Sequence, residues 1–206
     1  IGGNHFSHAL RRNVDINILL FNNRIYGLTK GQYSPTTPPG IRTLSSPDGS
    51  IENPVNPVGV AIGSEAGFIA RTVDVFQKHM AGVLRRAAEH RGASLVEIAQ
   101  NCIIFNDGAW SHLTDPDKRL ENVLYLEHGQ PMRFGRQGEK GIRLNGLRPE
   151  VVEYHAALNE VGALLVSAKV HSGWWDPKKQ KPTDPMATIL PSDRYEGGHA
   201  FAIVGY

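Results

Sequence analysis

The apolar run Ile16–Phe21 breaks off at the pair Asn22-Asn23 and is followed by a long stretch rich in Gly, Pro, Ser and Thr, from Gly27 to about Pro57. A short apolar run of this kind is the pattern of a parallel strand buried on both faces. Such a strand needs helices above and below it, and the flanking sequence supplies candidates. Asn4–Asn13 has Phe6, Ala9 and Leu10 on one side and reads as a helix, as does Pro57–Ala66. Phe68–Val73 reads as a second strand, and Val75–His90 as an amphipathic helix closed by Gly92. Leu95–Ala99 is a further short strand. Helices alternating with short apolar strands predict an α/β layer with a mainly parallel sheet. Ligands of such sheets bind beyond the carboxyl ends of the strands. Asn22-Asn23 and Gln100-Asn101-Cys102 both stand at such ends.

From about Ile103 to Pro149 the chain is more polar and loop-rich, and from Tyr154 its character changes. Tyr154–Val161 is helical in pattern, Ala163–Val170 reads as a strand, and a Pro/Lys loop leads to a last strand at His199–Tyr206. Lys178-Lys179-Gln180-Lys181 sits among prolines and reads as a solvated loop. The expected organisation is a domain over residues 1–153 and a small α+β segment over 154–206.

Charge and composition exclude several classes. The net charge of +2 with no dominant basic block argues against nucleic acid. The longest apolar runs, Ile16–Phe21 and Ala200–Val204, are too short to span a bilayer. No charged-then-apolar signal opens the chain; Ile1-Gly2-Gly3 reads as the middle of a domain. Cys102 is the one cysteine, so it has no internal disulfide partner, which fits a reducing, cytoplasmic compartment.

The asparagine pair carries the chemistry. Asparagine closes strands through turn chemistry alone, but the Asn23 amide oxygen and the Ile25 carbonyl are also hard oxygen ligands. With a carboxylate and diphosphate oxygens they could complete the octahedral shell of Mg²⁺. Gly27 would let the backbone approach a phosphate closely.

The run LLFNNRIYGLTKGQYSPTTP resembles the β subunits of 2-oxoacid:ferredoxin oxidoreductases, the 2-oxoglutarate branch in particular. The opening IGGNHFSHALRRNVDINILLFNN is similar to the back half of the thiamine-diphosphate motif, which begins with Gly-Asp-Gly and ends with Asn-Asn. SIENPVNP, ARTVD, VEIAQNC and LEHGQPMRFG follow in family order, extending the resemblance from Ile1 to about Glu153. The resemblance implies a thiamine-diphosphate-type fold and oxidative decarboxylation of a 2-oxoacid, most closely 2-oxoglutarate. The acyl group passes to coenzyme A and the electrons to ferredoxin, in a complex with an α subunit. It implies Asn23 and the Ile25 carbonyl as magnesium ligands, and Gly27 and Leu28 as contacts of the cofactor diphosphate. Cys102 would be the last of four thiolates on a 4Fe–4S cluster; the alternative is a small buried hydrophobe. Lys30, where pyruvate-using relatives tend to have glycine, would pair with the distal carboxylate of 2-oxoglutarate; otherwise it is an ordinary exposed loop lysine. On this resemblance the motif's aspartate and the other three cluster cysteines stand ahead of Ile1, and the glutamate that activates the thiamine ring comes from a partner subunit.

From Tyr154 the strings change. YHAALNEVGALLVSAKVHSGWW and GGHAFAIVGY resemble the later part of papain-like cysteine peptidases, which would make His199 the catalytic base. Cys102 in QNCIIF lacks the peptidase context, and the chain ends before the asparagine that orients the histidine. A peptidase fragment and a non-catalytic, vestigial or chimeric binding fragment are therefore the alternatives to an oxidoreductase subunit.

Overall fold

The computed structural model describes residues 2–145, 148–153, 163–171 and 195–204. The chain falls into two compact units, Ile1–Asp115 and Pro116–Tyr206. The expected change of sequence character near residue 153 lies inside the second unit.

The first unit is a three-stranded parallel sheet with helices on both faces. Its strands are β1 (Asn17–Asn22), β4 (Phe68–Val73) and β5 (Ser94–Ala99), in the order β1-β5-β4. Leu95 stands between Ile18 of β1 and Ile69 of β4, and Glu97 between Leu20 and Arg71. All six residues of β5 are buried, because both its edges are paired and both its faces are covered. On one face Leu95 packs with Leu10 of α1 (Gly3–Arg11) and Ala61 of α2 (Pro57–Gly63), together with Ile18, Leu20 and Ile69. On the other, Val96 and Ile98 pack with Ala87, Met80, Val83 and Leu84 of α3 (Gln77–Glu89). Val73 and Ala99, at the carboxyl end, pack against Trp110 and Leu113.

Local sequence sets the ends of these elements. Asn56 caps α2 by accepting the Gly59 N–H at 3.1 Å, and Pro57 takes the first helical position, where no N–H is needed. Asn13 leaves α1 in the left-handed region (φ 50°), and its side chain accepts the Ala93 N–H at 3.0 Å. Asp15 accepts the Gly92 N–H at 3.1 Å, so the entries to β1 and β5 are tied together. Gly92 has φ 111°, and a Cβ there would collide with the Asn13 side chain; glycine is required.

One expectation is corrected. The apolar run predicts burial of Ile16–Phe21 on both faces, yet along β1 exposure alternates: Leu19 and Phe21 are 44% and 57% exposed. Helix α3 packs over β4 and β5, and the cluster beneath it includes no residue of β1. Only β5 meets the two-face condition. The loop-rich stretch after β1 contains a short hairpin of β2 (Ile25–Tyr26) and β3 (Gln32–Tyr33).

In the second unit, α4 (Ser111–Thr114) having closed the first, α5 (Pro116–Asn122) precedes an antiparallel pair, β6 (Lys140–Asn145) and β7 (Arg148–Glu153). Lys140 bridges to Glu121 of α5 at 2.5 Å. The expected strands in the tail form an antiparallel pair, β8 (Ala163–His171) and β9 (Tyr195–Val204), with an irregularity between Val170 and His171. The expected helix Tyr154–Val161 and the Pro/Lys loop lie outside the described residues.

Leu95→Ala should lower the free energy of unfolding by about 2–5 kcal/mol, because it opens a cavity at the centre of the sheet. Leu19→Ala, on the open face of β1, should change it by only about 0.5 kcal/mol. Urea midpoints at a constant m-value are the measurement.

Candidate functional site

The carboxyl end of β1 runs into a tightly held turn. Asn22 is 6% exposed, and its two side-chain ends face different partners. Its Nδ2 donates to Glu97 Oε1 at 2.7 Å, while its Oδ1 accepts the Arg24 N–H at 3.1 Å and the Thr36 hydroxyl at 2.7 Å. The Asn22 carbonyl accepts from Trp110 Nε1 at 2.8 Å and from the Gln100 N–H at 3.1 Å. Arg24 adopts a left-handed conformation (φ 58°), and Thr37 Oγ1 donates to its carbonyl at 2.6 Å. Its guanidinium lies 3.6 Å over the Trp110 ring and donates to the Ala109 carbonyl at 3.2 Å. This is a cation–π stack that a partly desolvated arginine favours. Burial lowers the Arg24 pKa, an effect opposed by Glu97 and reinforced by Arg71.

Glu97, 2% exposed, is the one buried charged side chain among the described residues. Its Oε2 accepts from Arg71 Nε at 2.7 Å and pairs with Arg71 Nη2 at 2.6 Å. This two-pronged contact satisfies the carboxylate from one side while Asn22 satisfies it from the other.

The expected site residues fall on this framework as follows. Asn23 is half-buried directly after β1, and its Oδ1 accepts the Ile25 N–H at 3.2 Å. A carboxamide oxygen has two lone pairs, so one remains available to a cation. The Asn23 carbonyl is held by Asn106 Nδ2 at 2.9 Å. Ile25 opens β2 with its side chain buried. The hairpin tip is a turn in which the Gly27 carbonyl accepts the Lys30 N–H at 3.0 Å. Gly27 keeps an ordinary backbone conformation, whereas Lys30 (φ 64°) and Gly31 (φ 89°) are left-handed. The Phe105 ring packs against both glycines, more closely at Gly31. The Leu28 side chain is fully exposed, so a contact with a diphosphate would use its N–H. Lys30 is exposed on the same tip.

Cys102 is partly exposed, in a small turn beyond β5 where its carbonyl accepts the Asn106 N–H at 2.9 Å. Asn106 thus joins the cysteine turn to the Asn23 turn. No group of three or more His, Cys, Asp or Glu side chains converges on a metal site among the described residues. The donors here that fit a Mg²⁺–diphosphate group are therefore neutral oxygens. His199 lies on β9, paired in register with Ala168.

Sequence reasoning marked Asn22 only as a strand end and missed Arg24, Arg71, Glu97 and Trp110. A signal existed for one of them: a glutamate inside SLVEIA is a charge in a strand otherwise built for burial.

Residues 1–98 match the model of the thiamine pyrophosphate enzyme C-terminal, TPP-binding domain. The 2-oxoglutarate oxidoreductase subunit KorB of Mycobacterium tuberculosis is 52% identical over 153 residues, covering 74% of this chain and 41% of the relative. The 2-oxoacid:ferredoxin oxidoreductase β subunit of Saccharolobus solfataricus is 41% identical over 107 residues, 52% of this chain and 35% of the relative. A solved 2-oxoglutarate:ferredoxin oxidoreductase from Magnetococcus marinus, with 2-oxoglutarate, coenzyme A and succinyl-CoA bound, aligns with TM-score 0.55 and 34% identity. That alignment covers 63% of this chain and 43% of the solved one. The mainly parallel sheet thus matches the fold of a thiamine-diphosphate-binding α/β domain. Within that class the chain is similar to the β subunits of 2-oxoacid:ferredoxin oxidoreductases, and it spans less than half the length of these relatives.

The Arg24–Trp110 stack sets a local pH response. His112, whose ring lies 5.8 Å from that of Trp110, has its pKa lowered by burial first and by the nearby Arg24 charge second. Its NMR titration midpoint should lie below the ordinary imidazole value of about 6.5, and Arg24→Ala should raise it. The folded pKa is below the unfolded one. The His112 contribution to stability is therefore complete above the unfolded pKa and is lost as pH falls towards the folded value.

Proposed function

We propose that this chain is the cofactor-binding part of a β subunit that, with an α subunit, oxidatively decarboxylates 2-oxoglutarate to an acyl-coenzyme A and passes the electrons to ferredoxin. The observation that carries this reading is the Asn23–Lys30 turn at the carboxyl end of β1, in a sequence 52% identical to a 2-oxoglutarate oxidoreductase subunit over 153 residues. When bound, thiamine diphosphate supplies the electron sink for loss of carbon dioxide. The chain's own part is to hold and orient. Asn23 Oδ1 and the Ile25 carbonyl would bind Mg²⁺, which takes hard oxygen ligands. Gly27 and the Leu28 N–H would meet the diphosphate, and Cys102 would give one thiolate to a 4Fe–4S cluster. The protein would work in the cytoplasm, whose reducing conditions keep a thiolate such as that of Cys102 free for a cluster; among the described residues no helix is long and apolar enough to cross a membrane. For residues 154–206 the peptidase resemblance rests on sequence strings alone, and no chemistry is assigned to His199.

Lys30 would set the substrate range by pairing with the distal carboxylate of 2-oxoglutarate. Its left-handed backbone is one that glycine adopts readily, so Lys30→Gly removes the ammonium and leaves the turn. In the full-length subunit assembled with its α partner, this change should lower kcat/KM for 2-oxoglutarate by about ten- to a hundredfold. Pyruvate turnover should be spared; equal losses on both substrates would make the lysine a support of the loop or cofactor.

Asn23→Ala in the same assembly should weaken Mg²⁺-dependent binding of thiamine diphosphate by about tenfold or more, through loss of a ligand oxygen. Calorimetry at graded Mg²⁺ is the test, and unchanged affinity would remove Asn23 from the metal site.

A further inference from the structure

The described side chains leave one buried charge without a role in that reading. Glu97 sits at the middle of the central strand, between the Leu95 cluster and the Val73–Ala99–Trp110 cluster, and reaches both neighbouring strands. A carboxylate can only accept hydrogen bonds. Arg71 takes Oε2, so Oε1 obliges Asn22 to present its NH₂ group. That choice directs Asn22 Oδ1 away from the sheet, where it gathers the Arg24 N–H and the Thr36 hydroxyl. A reversed amide would set its oxygen against the Glu97 carboxylate and its NH₂ against the Arg24 N–H. The left-handed Arg24 is thereby pinned between Asn23 and Ile25, the two residues assigned to the metal.

We propose that Glu97 is a positioning residue for the cofactor's metal site. By fixing the orientation of the Asn22 amide it presets the Asn22–Ile25 turn, and so aims the Asn23 and Ile25 oxygens before any ligand arrives. Arg71 holds the carboxylate in place and keeps its charge compensated. The proposal rests on the reading of Asn23 and Ile25 as magnesium ligands.

The polarity of the Asn22–Glu97 contact makes it testable by exchange. Glu97→Gln offers one acceptor oxygen where Asn22 and Arg71 each need one. Asn22→Asp sets two carboxylates against each other. In the double variant N22D/E97Q the amide introduced at position 97 donates to the carboxylate introduced at position 22. The oxygen of that amide faces Arg71, and the new carboxylate still accepts from Arg24 and Thr36. The net charge is unchanged.

The three variants would be made in the full-length subunit assembled with its α partner. Thiamine diphosphate affinity at graded Mg²⁺ would be read by calorimetry, beside urea midpoints. Each single change should weaken binding about tenfold or more, and shift the Mg²⁺ dependence to higher concentration. The double should return to within about threefold of the parent. Single variants that bind like the parent would overturn the proposal, as would a double that folds without recovering affinity. A double that fails to fold would also overturn it, because the reversed pair would then not be equivalent. Asn23→Ala separates the two levels. If it weakens binding while the singles do not, only the role of Glu97 falls. If it has no effect, the metal reading falls and this proposal with it.

Discussion

A carboxylate buried in the middle of a three-stranded sheet must be neutralised where it stands, and much of this unit is arranged around that need. Taking one charge out of water costs several kcal/mol, and Arg71, half exposed itself, compensates it from the solvent side. Arg71 from β4 and Asn22 from β1 meet Glu97 of β5, so the polar layer ties together all three strands. Apolar clusters lie on either side of it along the same face. The strand that anchors the core also carries the carboxylate that meets Asn22 at the end of its neighbour.

The turn itself is held from several directions. Arg24 and Lys30 occupy left-handed backbone at non-glycine positions, which costs on the order of 1–3 kcal/mol each. The surroundings meet that cost with contacts at Arg24. Thr37 donates to its carbonyl and the Trp110 ring stacks on its guanidinium, while Thr36 and Trp110 bind Asn22 and Asn106 binds the Asn23 carbonyl. Backbone oxygens at Asn22, Asn23 and Arg24 are each engaged. This is how a loop acquires the rigidity usually found in strands and helices.

The three sheet strands and helices α1 to α3 were legible in the sequence because apolar period and capping residues agree there, whereas the β2–β3 hairpin and α4 lie in stretches that read as loop. Asn56-Pro57 marks the start of α2, Gly92 the close after α3, and SLVEIA the central strand. The misreading of β1 has a physical cause: INILLF records apolar residues, whereas burial depends on where a helix further along the chain comes to rest. The position of Asn23 was legible from its strand end. The network beneath it was not, since Arg71, Glu97 and Trp110 are brought to Asn22 by strand order and by a loop 88 residues away. Only the glutamate inside an apolar strand announced itself.

The left-handed backbone at Lys30 also bears on how such a loop can change over generations. At most positions, exchanging a long charged side chain for glycine loosens the chain and must be compensated elsewhere. Here the backbone already favours glycine, and the side chain at the exposed tip supports no part of the core. The electrostatic character of the tip can therefore drift independently of foldability. A single replacement can add or delete a cation while the sheet, the buried carboxylate and the clasped turn pass unaltered to the descendants.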